Sequence, residues 1–389
     1  MSSASDHIYV HVPFCDGKCA YCSLYSIYYS EKSTEKYLAA LSVEFDRTIK
    51  DKISPKTIYC GGGTPSVLSP QQLEHLLDII TSRISKKKLK EWTFEAAPNT
   101  LTDYKIRLLA SAGVNRVSLG VQSFSRSVLE KIGRRHSVND INTATTALRA
   151  GGIMNIGIDL IACLPGTSDK TWRSSLEKAV NLCVPHISVY ALTIEKKSEF
   201  SVLVRRGIIS KPNDEEQLRA MNKAEKLLAA AGYERYEISN YAKLNSGPAS
   251  SRVMTSKYRC LHNVACWKGE DYFGLGPSAA SRCGLKRWTN KPQLKEYIQA
   301  CLRGTIPPRN RETLNPHADM AERMMFNLRL KEGVNLARFH NVNSEISAYR
   351  QNTFKQLIAM GLTEKSGNYY RLTPKGRDFA DMVAEALLP

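Results

Sequence analysis

From residue 7 to about residue 195, short runs of β-branched and aromatic residues alternate with longer stretches in which apolar residues recur every three or four positions. HIYVHV (7–12), TIYC (57–60), WTFEA (92–96), RVSLGVQS (116–123), NIGIDLI (155–161) and HISVYAL (186–192) read as strands. Between them, KYLAALSVEFDRTI (36–49) and QQLEHLLDIITSRI (71–84) have helical spacing, the second opened by Ser69 as N-cap and Pro70 in its first turn. Thr102 caps a further helix, which Gly113 ends. About six strand–helix units in βαβα order predict an α/β fold. Its parallel sheet carries helices outside and is either curled into a full or partial barrel or left open. In such folds chemistry gathers where strands end and loops begin.

The pattern then changes. Residues 214–231 read as an amphipathic helix leading into YERYEISNYA (233–242), NSGPASS (245–251) as a loop, and TIPPRNRETLNP (305–316) as a linker. Residues 317–389 read as a small helical module that ends in GLTEKSGNYYRLTPKG (361–376): two short strands about a Ser-Gly-Asn turn, then a helix. That gives three regions: a barrel over 1–240, a connecting region and linker over 241–310, and a winged-helix-like α+β domain over 311–389.

Composition narrows the class. The chain is 42% hydrophobic and 24% charged, as in soluble globular proteins. No apolar run approaches the roughly 18 residues needed to span a bilayer. The start, MSSASDHIYV, lacks the basic and apolar segments of a secretory signal. The expected compartment is therefore cytoplasmic, where cysteines serve metals or catalysis rather than a disulfide framework. The net charge of +18 suits an acidic partner, although the basic residues are spread widely. KKKLK (86–90) reads as a solvated helix end.

The densest chemistry lies in HVPFCDGKCAYCSLYS (11–26), which places Cys15, Cys19 and Cys22 in one C-x3-C-x2-C run after the first strand. A structural zinc site would need a distant fourth ligand. A thioredoxin-like pair would leave Cys15 unexplained. A [4Fe–4S] cluster uses all three and leaves one iron open to a ligand, with Gly17 easing the turn and Tyr21 offering an aromatic face. The spacing favours the cluster over zinc without excluding it.

This loop resembles that of the radical S-adenosylmethionine (SAM) enzymes. The resemblance implies a partial (β/α)6 barrel and reductive cleavage of SAM at its mouth. It assigns Gly61, Gly62, Gly63 and Thr64 of GGGTPS to the SAM amino group. Glu95 in FEAAP, Gln122 in LGVQSF, Arg134 in IGRRH and Asp159 in GIDLIACLPG match further SAM-contacting positions. Arg134 would pair with the methionine carboxylate.

GVNRVSLGVQSF, GRRH, YEISNYA, HNVACW, FGLGPSAAS, NLRLKEGVNLARF and LTPKGR follow in order. Together they resemble the oxygen-independent coproporphyrinogen III oxidase-like family across nearly the whole chain, and within it the HemW haem-chaperone branch. The dehydrogenases of that family carry a further cysteine where this chain has Leu24, which disfavours coproporphyrinogen decarboxylation. The resemblance implies haem as a possible further ligand, with His262 of HNVACW as its axial residue. It also implies a flavodoxin- or ferredoxin-like electron donor. A small-molecule radical enzyme, such as a class C methyltransferase, stays open as an alternative. A nucleic-acid regulator does not suit the tail, in which no recognition helix stands out.

The chain also departs from the family pattern. Cys266 replaces a tyrosine, Ser23-Leu24 replace Asp-Phe, and Ala162-Cys163 replace Tyr-Gly. Cys60 and Cys163 are expected near the barrel mouth, as small buried hydrophobes or as hydrogen-atom donors to a substrate radical.

Overall fold

The structure, a computed structural model, describes residues 5–244, 256–339 and 344–388. The expected loop NSGPASS lies outside them. All the predicted strands form: β1 (His7–Val12), β2 (Thr57–Gly62), β3 (Glu91–Ala96), β4 (Arg116–Gln122), β5 (Asn155–Ala162) and β6 (His186–Ala191). They lie side by side in chain order, each parallel to the next. Two further strands, β7 (Tyr233–Arg235) and β8 (Asn240–Lys243), extend the sheet beyond β6 in antiparallel fashion. A ninth, β9 (Phe273–Leu275), adds parallel to the free side of β1. The two outer edges are not joined, so the sheet is a partial barrel.

The crossover helices start where local chemistry dictates. Ser69 and Gln72 form a capping box on Pro70–Arg83, as do Ser137 and Asp140 on Val138–Ala150 and Asn213 and Glu216 on Asp214–Ala230. Gly113, at φ 101°, ends Asp103–Ala112 in the left-handed conformation that favours glycine. The first crossover helix, Glu31–Thr48, starts earlier than its apolar spacing suggested, because its opening turn is largely solvent-facing. The lysine run is not a helix end. The helix stops at Arg83, and Lys86–Lys88 form a separate exposed 3-10 turn before β3.

Alternation within each strand separates two environments. The outer positions are apolar: Ile8, Val10, Ile58, Trp92, Phe94, Val117 and Leu119 are buried against crossover-helix residues such as Leu38, Phe45, Leu76 and Ile80. The inner positions are largely polar, and they bond to one another between nearby strands. Tyr59 reaches Glu95, Ser118 reaches Asp159, and Arg116 reaches His186. Buried polar groups without partners would cost several kcal/mol each, so this interior specifies one packing.

TIPPRNRETLNP is not simply a linker. Arg309–Thr313 within it forms the edge strand of an antiparallel sheet with Ala280–Cys283 and Lys286–Asn290. Mostly exposed, it carries no hydrophobic alternation to betray it. The C-terminal module has its own core, which includes Met320, Met324, Leu328, Phe354, Leu357, Leu362, Tyr370 and Val383. Its wing is the expected hairpin, Thr363–Ser366 with Tyr369–Leu372, turning at Gly367 with φ 59°.

Candidate functional site

The cysteine loop is tied down at both ends. Phe14–Cys15 pairs with Ile27–Tyr28, the Ile27 N–H donating to Pro13 O and the Tyr29 N–H to Cys15 O, both at 2.8 Å. Inside the loop, the Cys22 N–H donates to Cys19 O at 3.0 Å and Lys18 Nζ to Leu24 O at 2.7 Å. Two later segments reach the thiols. Thr64 Oγ1 lies 3.5 Å from Cys15 Sγ, and Arg134 Nη1 lies 3.6 Å from Cys19 Sγ. Burial pushes the Cys15 and Cys22 thiols up. Coordination to a cation reverses that preference by binding the thiolate.

The triple glycine lets three elements meet. A Cβ on Gly63 would stand 2.6 Å from Phe14 O, so no side chain fits between the end of β2 and the cysteine loop. A Cβ on Gly61 would meet the Glu95 carboxyl at 2.7 Å. Glu95 itself accepts from Tyr59 Oη at 2.7 Å and from the Gly62 N–H at 3.1 Å. Burial, with Asp159 adding to it, pushes its carboxyl up to about 7 despite those bonds. Asp159 is pushed up by burial as well, and accepts from Ser118 Oγ at 3.2 Å.

Gln122 sits at φ 65°, where β4 slips its register against β5 between Gly120 and Gln122. The irregularity places Gly120 against Arg134, whose Nη2 donates to Gly120 O. Arg134 Nε is buried and without a hydrogen-bond partner.

A cavity of about 300 Å³ lies among these groups. Every residue nominated from sequence lines it except Gly61 and His262. Gly61 lies behind the Glu95 carboxyl. His262 is elsewhere, at the opposite end of the barrel. It is 4% exposed, with Nδ1 2.8 Å from Oγ1 of Thr57, the first residue of β2. Its helix, Leu261–Trp267, is capped by Glu91, which accepts from the Leu261 N–H at 2.8 Å and the His262 N–H at 3.0 Å. Burial holds the imidazole down at about 3.

The extra cysteines do not face this cavity. Cys60 lies on the outer face of β2 in the apolar core, where burial raises its thiol to about 12. Cys163, at φ 60°, lines a separate cavity of about 400 Å³ with Trp172 and Glu216. Both lie towards the C-terminal ends of their strands, where they were expected, but neither lines the cavity. Sequence reasoning also missed Tyr59, Ser118 and Tyr190. The signal was present in the polar residues at alternate positions of strands otherwise fully apolar.

Among the described residues no three His, Cys, Asp or Glu side chains converge on a single ion position. Cys15, Cys19 and Cys22 line one cavity, and three thiols there are a donor set that would suit an iron–sulfur cluster. The orphaned Arg134 Nε leaves a donor for an anionic ligand in the same place.

Comparison with known proteins agrees with this geometry. Residues 9–179 match the radical SAM superfamily, and residues 314–379 match the HemN C-terminal domain. The chain is 33% identical to the heme chaperone HemW of Lactococcus lactis, covering 98% of this chain and 96% of that protein. It belongs to the HemW family of radical SAM proteins. To the HemW of Bacillus subtilis it is 34% identical, with 98% of each chain covered. In structure it is similar to the coproporphyrinogen III oxidase HemN of Escherichia coli, with a TM-score of 0.82 at 21% identity over 99% of this chain and 91% of that one. That likeness establishes the shared fold: a radical SAM α/β barrel followed by a small C-terminal domain. Among the described residues no helix is long and apolar enough to cross a membrane.

Proposed function

We propose that this HemW-family protein holds a [4Fe–4S] cluster on Cys15, Cys19 and Cys22, binds SAM in the adjoining cavity, and handles haem as its cargo. The observation that carries the reading is the convergence of three thiols, Arg134, Glu95 and Asp159 on one cavity. When bound, such a cluster supplies the electron that reductively cleaves SAM. The chain's own residues position the ligand. Arg134, free at Nε and already fixed by Gly120 O, offers a guanidinium fork to a carboxylate. Glu95, oriented by Tyr59 and Gly62, accepts a hydrogen bond from a ligand amine or hydroxyl. Thr64 holds Cys15, and the glycines bring the backbone close enough to enclose the ligand.

The haem reading comes from the relatives' names. In this proposal His262 serves as its iron ligand through Nε2, at the lower end of the barrel, where the imidazole is buried and its Nδ1 is bonded to Thr57. We read residues 1–240 as the body of the barrel, 241–310 as the HN-motif region and linker, which adds β9 beside β1, and 311–389 as a separate C-terminal domain. The electron donor is read as an acidic flavodoxin- or ferredoxin-like protein, steered by the chain's positive charge. The compartment is read as the cytosol, where cysteines serve metals or catalysis.

The test is an anaerobic haem titration of the cluster-loaded protein and of His262→Ala, followed at the Soret band and paired with an assay for 5′-deoxyadenosine. Saturable haem uptake together with SAM cleavage supports the proposal. SAM cleavage without specific haem uptake overturns the haem reading and leaves radical chemistry on another small molecule.

A further inference from the structure

At the lower end of the barrel, four side chains from four segments form a hydrogen-bonded line from the solvent to the interior. Glu270, half-exposed, lies with Oε2 2.9 Å from His7 Nε2. His7 Nδ1 is 2.8 Å from Thr57 Oγ1, and the same hydroxyl is 2.8 Å from His262 Nδ1. His7, Thr57 and His262 are all buried. The two imidazole rings stand 6.3 Å apart, with the threonine hydroxyl bridging them.

With His7 neutral, the donor and acceptor inventory gives this line a direction. An ionised carboxylate only accepts, so Glu270 takes the proton of His7 Nε2. In a neutral imidazole the other nitrogen is then the acceptor, so His7 Nδ1 receives the Thr57 hydroxyl proton. The threonine has one proton to give. Its oxygen therefore accepts from His262, which must carry its own proton on Nδ1. Nε2 of His262 is left with a lone pair. The His7 bond helps keep Glu270 in the carboxylate form on which the chain depends, since it draws that carboxyl below its usual range.

We propose that Glu270, His7 and Thr57 are positioning residues that hold His262 in its Nδ1–H tautomer, so that Nε2 is presented as a proton acceptor or metal ligand. A carboxylate-anchored chain behind the far nitrogen is the arrangement that orients and strengthens imidazoles that ligate metals. Here a second histidine and a threonine lengthen the chain. The use of that nitrogen by haem iron rests on the functional reading above. The tautomer is a property of the haem-free protein.

The test is a long-range 1H–15N correlation spectrum of the full-length, haem-free protein labelled at its eight histidines. His262 is assigned by the signal lost in His262→Gln. Wild type is expected to show a protonated-type shift at Nδ1 and an unprotonated-type shift at Nε2. Thr57→Ser should preserve that pattern. Thr57→Val and the half-exposed Glu270→Gln should each convert it to a mixture of tautomers. A wild-type His262 protonated at Nε2, or a pattern unchanged in folded Thr57→Val and Glu270→Gln, overturns the proposal. A confirmed tautomer combined with haem binding that is indifferent to His262→Ala leaves the relay standing and removes the haem role from it.

Discussion

Replacing Glu95 with Gln separates what this side chain does for folding from what it does for ligand binding. In the SAM-free protein its carboxyl is pushed from 4.5 to about 7, chiefly by burial. The folded state therefore holds a proton that the unfolded chain releases near pH 4.5. Stability is then fully present below that value and is lost as pH rises through about 7. A shift of roughly 2.5 units corresponds to about 3 kcal/mol at most. Glutamine does not titrate and escapes that loss. Its amide also turns one donor towards the Gly62 N–H, a fixed cost of about 1 kcal/mol. Urea unfolding of the cluster-free proteins should place Glu95→Gln about 1 kcal/mol below wild type near pH 4.5 and about 2 kcal/mol above it near pH 8. SAM binding should nevertheless weaken in the variant. A stability difference that stays constant across this window would refute the reasoning, because Glu95 would then not carry the buried proton.

Other expectations follow from single contacts. Arg134→Ala removes a charged donor at the cavity and should weaken SAM binding by about 2 kcal/mol, some thirtyfold in Kd by equilibrium dialysis. Gly63→Ala places a methyl against Phe14 O and Val12 O, so iron and sulfide retention after reconstitution should fall sharply. Glu91→Gln withdraws the charged cap from Leu261 and His262, and hydrogen exchange over 261–267 should rise while β3 stays protected. Cys163→Gly relieves a side chain held at φ 60° and should stabilise the fold by about 1 kcal/mol, with SAM cleavage unchanged.

The six parallel strands were legible because each is a short apolar run bounded by turn residues, and the cysteine loop because three cysteines fall within eight residues, 15–22. Part of the cavity's lining was legible as well, because Glu95, Gln122 and Asp159 lie at or near strand ends. The supporting groups were not. Tyr59 and Ser118 meet Glu95 and Asp159 through the register of neighbouring parallel strands, which a linear sequence does not record. The burial of His262 at the lower end of the barrel was not legible, because its motif was read for its residue type. The cap that fixes it belongs to Glu91, 171 positions away. Arg309–Thr313 escaped notice because an edge strand with both faces largely wet needs no alternation.

The central claim, that three cysteines hold a cluster with a coordination position open to SAM, is tested most directly by EPR of the reduced, anaerobically reconstituted protein with and without SAM. The account predicts a cluster signal that SAM shifts in wild type and that is lost in Cys19→Ala. A wild-type signal indifferent to SAM, or an intact cluster in Cys19→Ala, would contradict it.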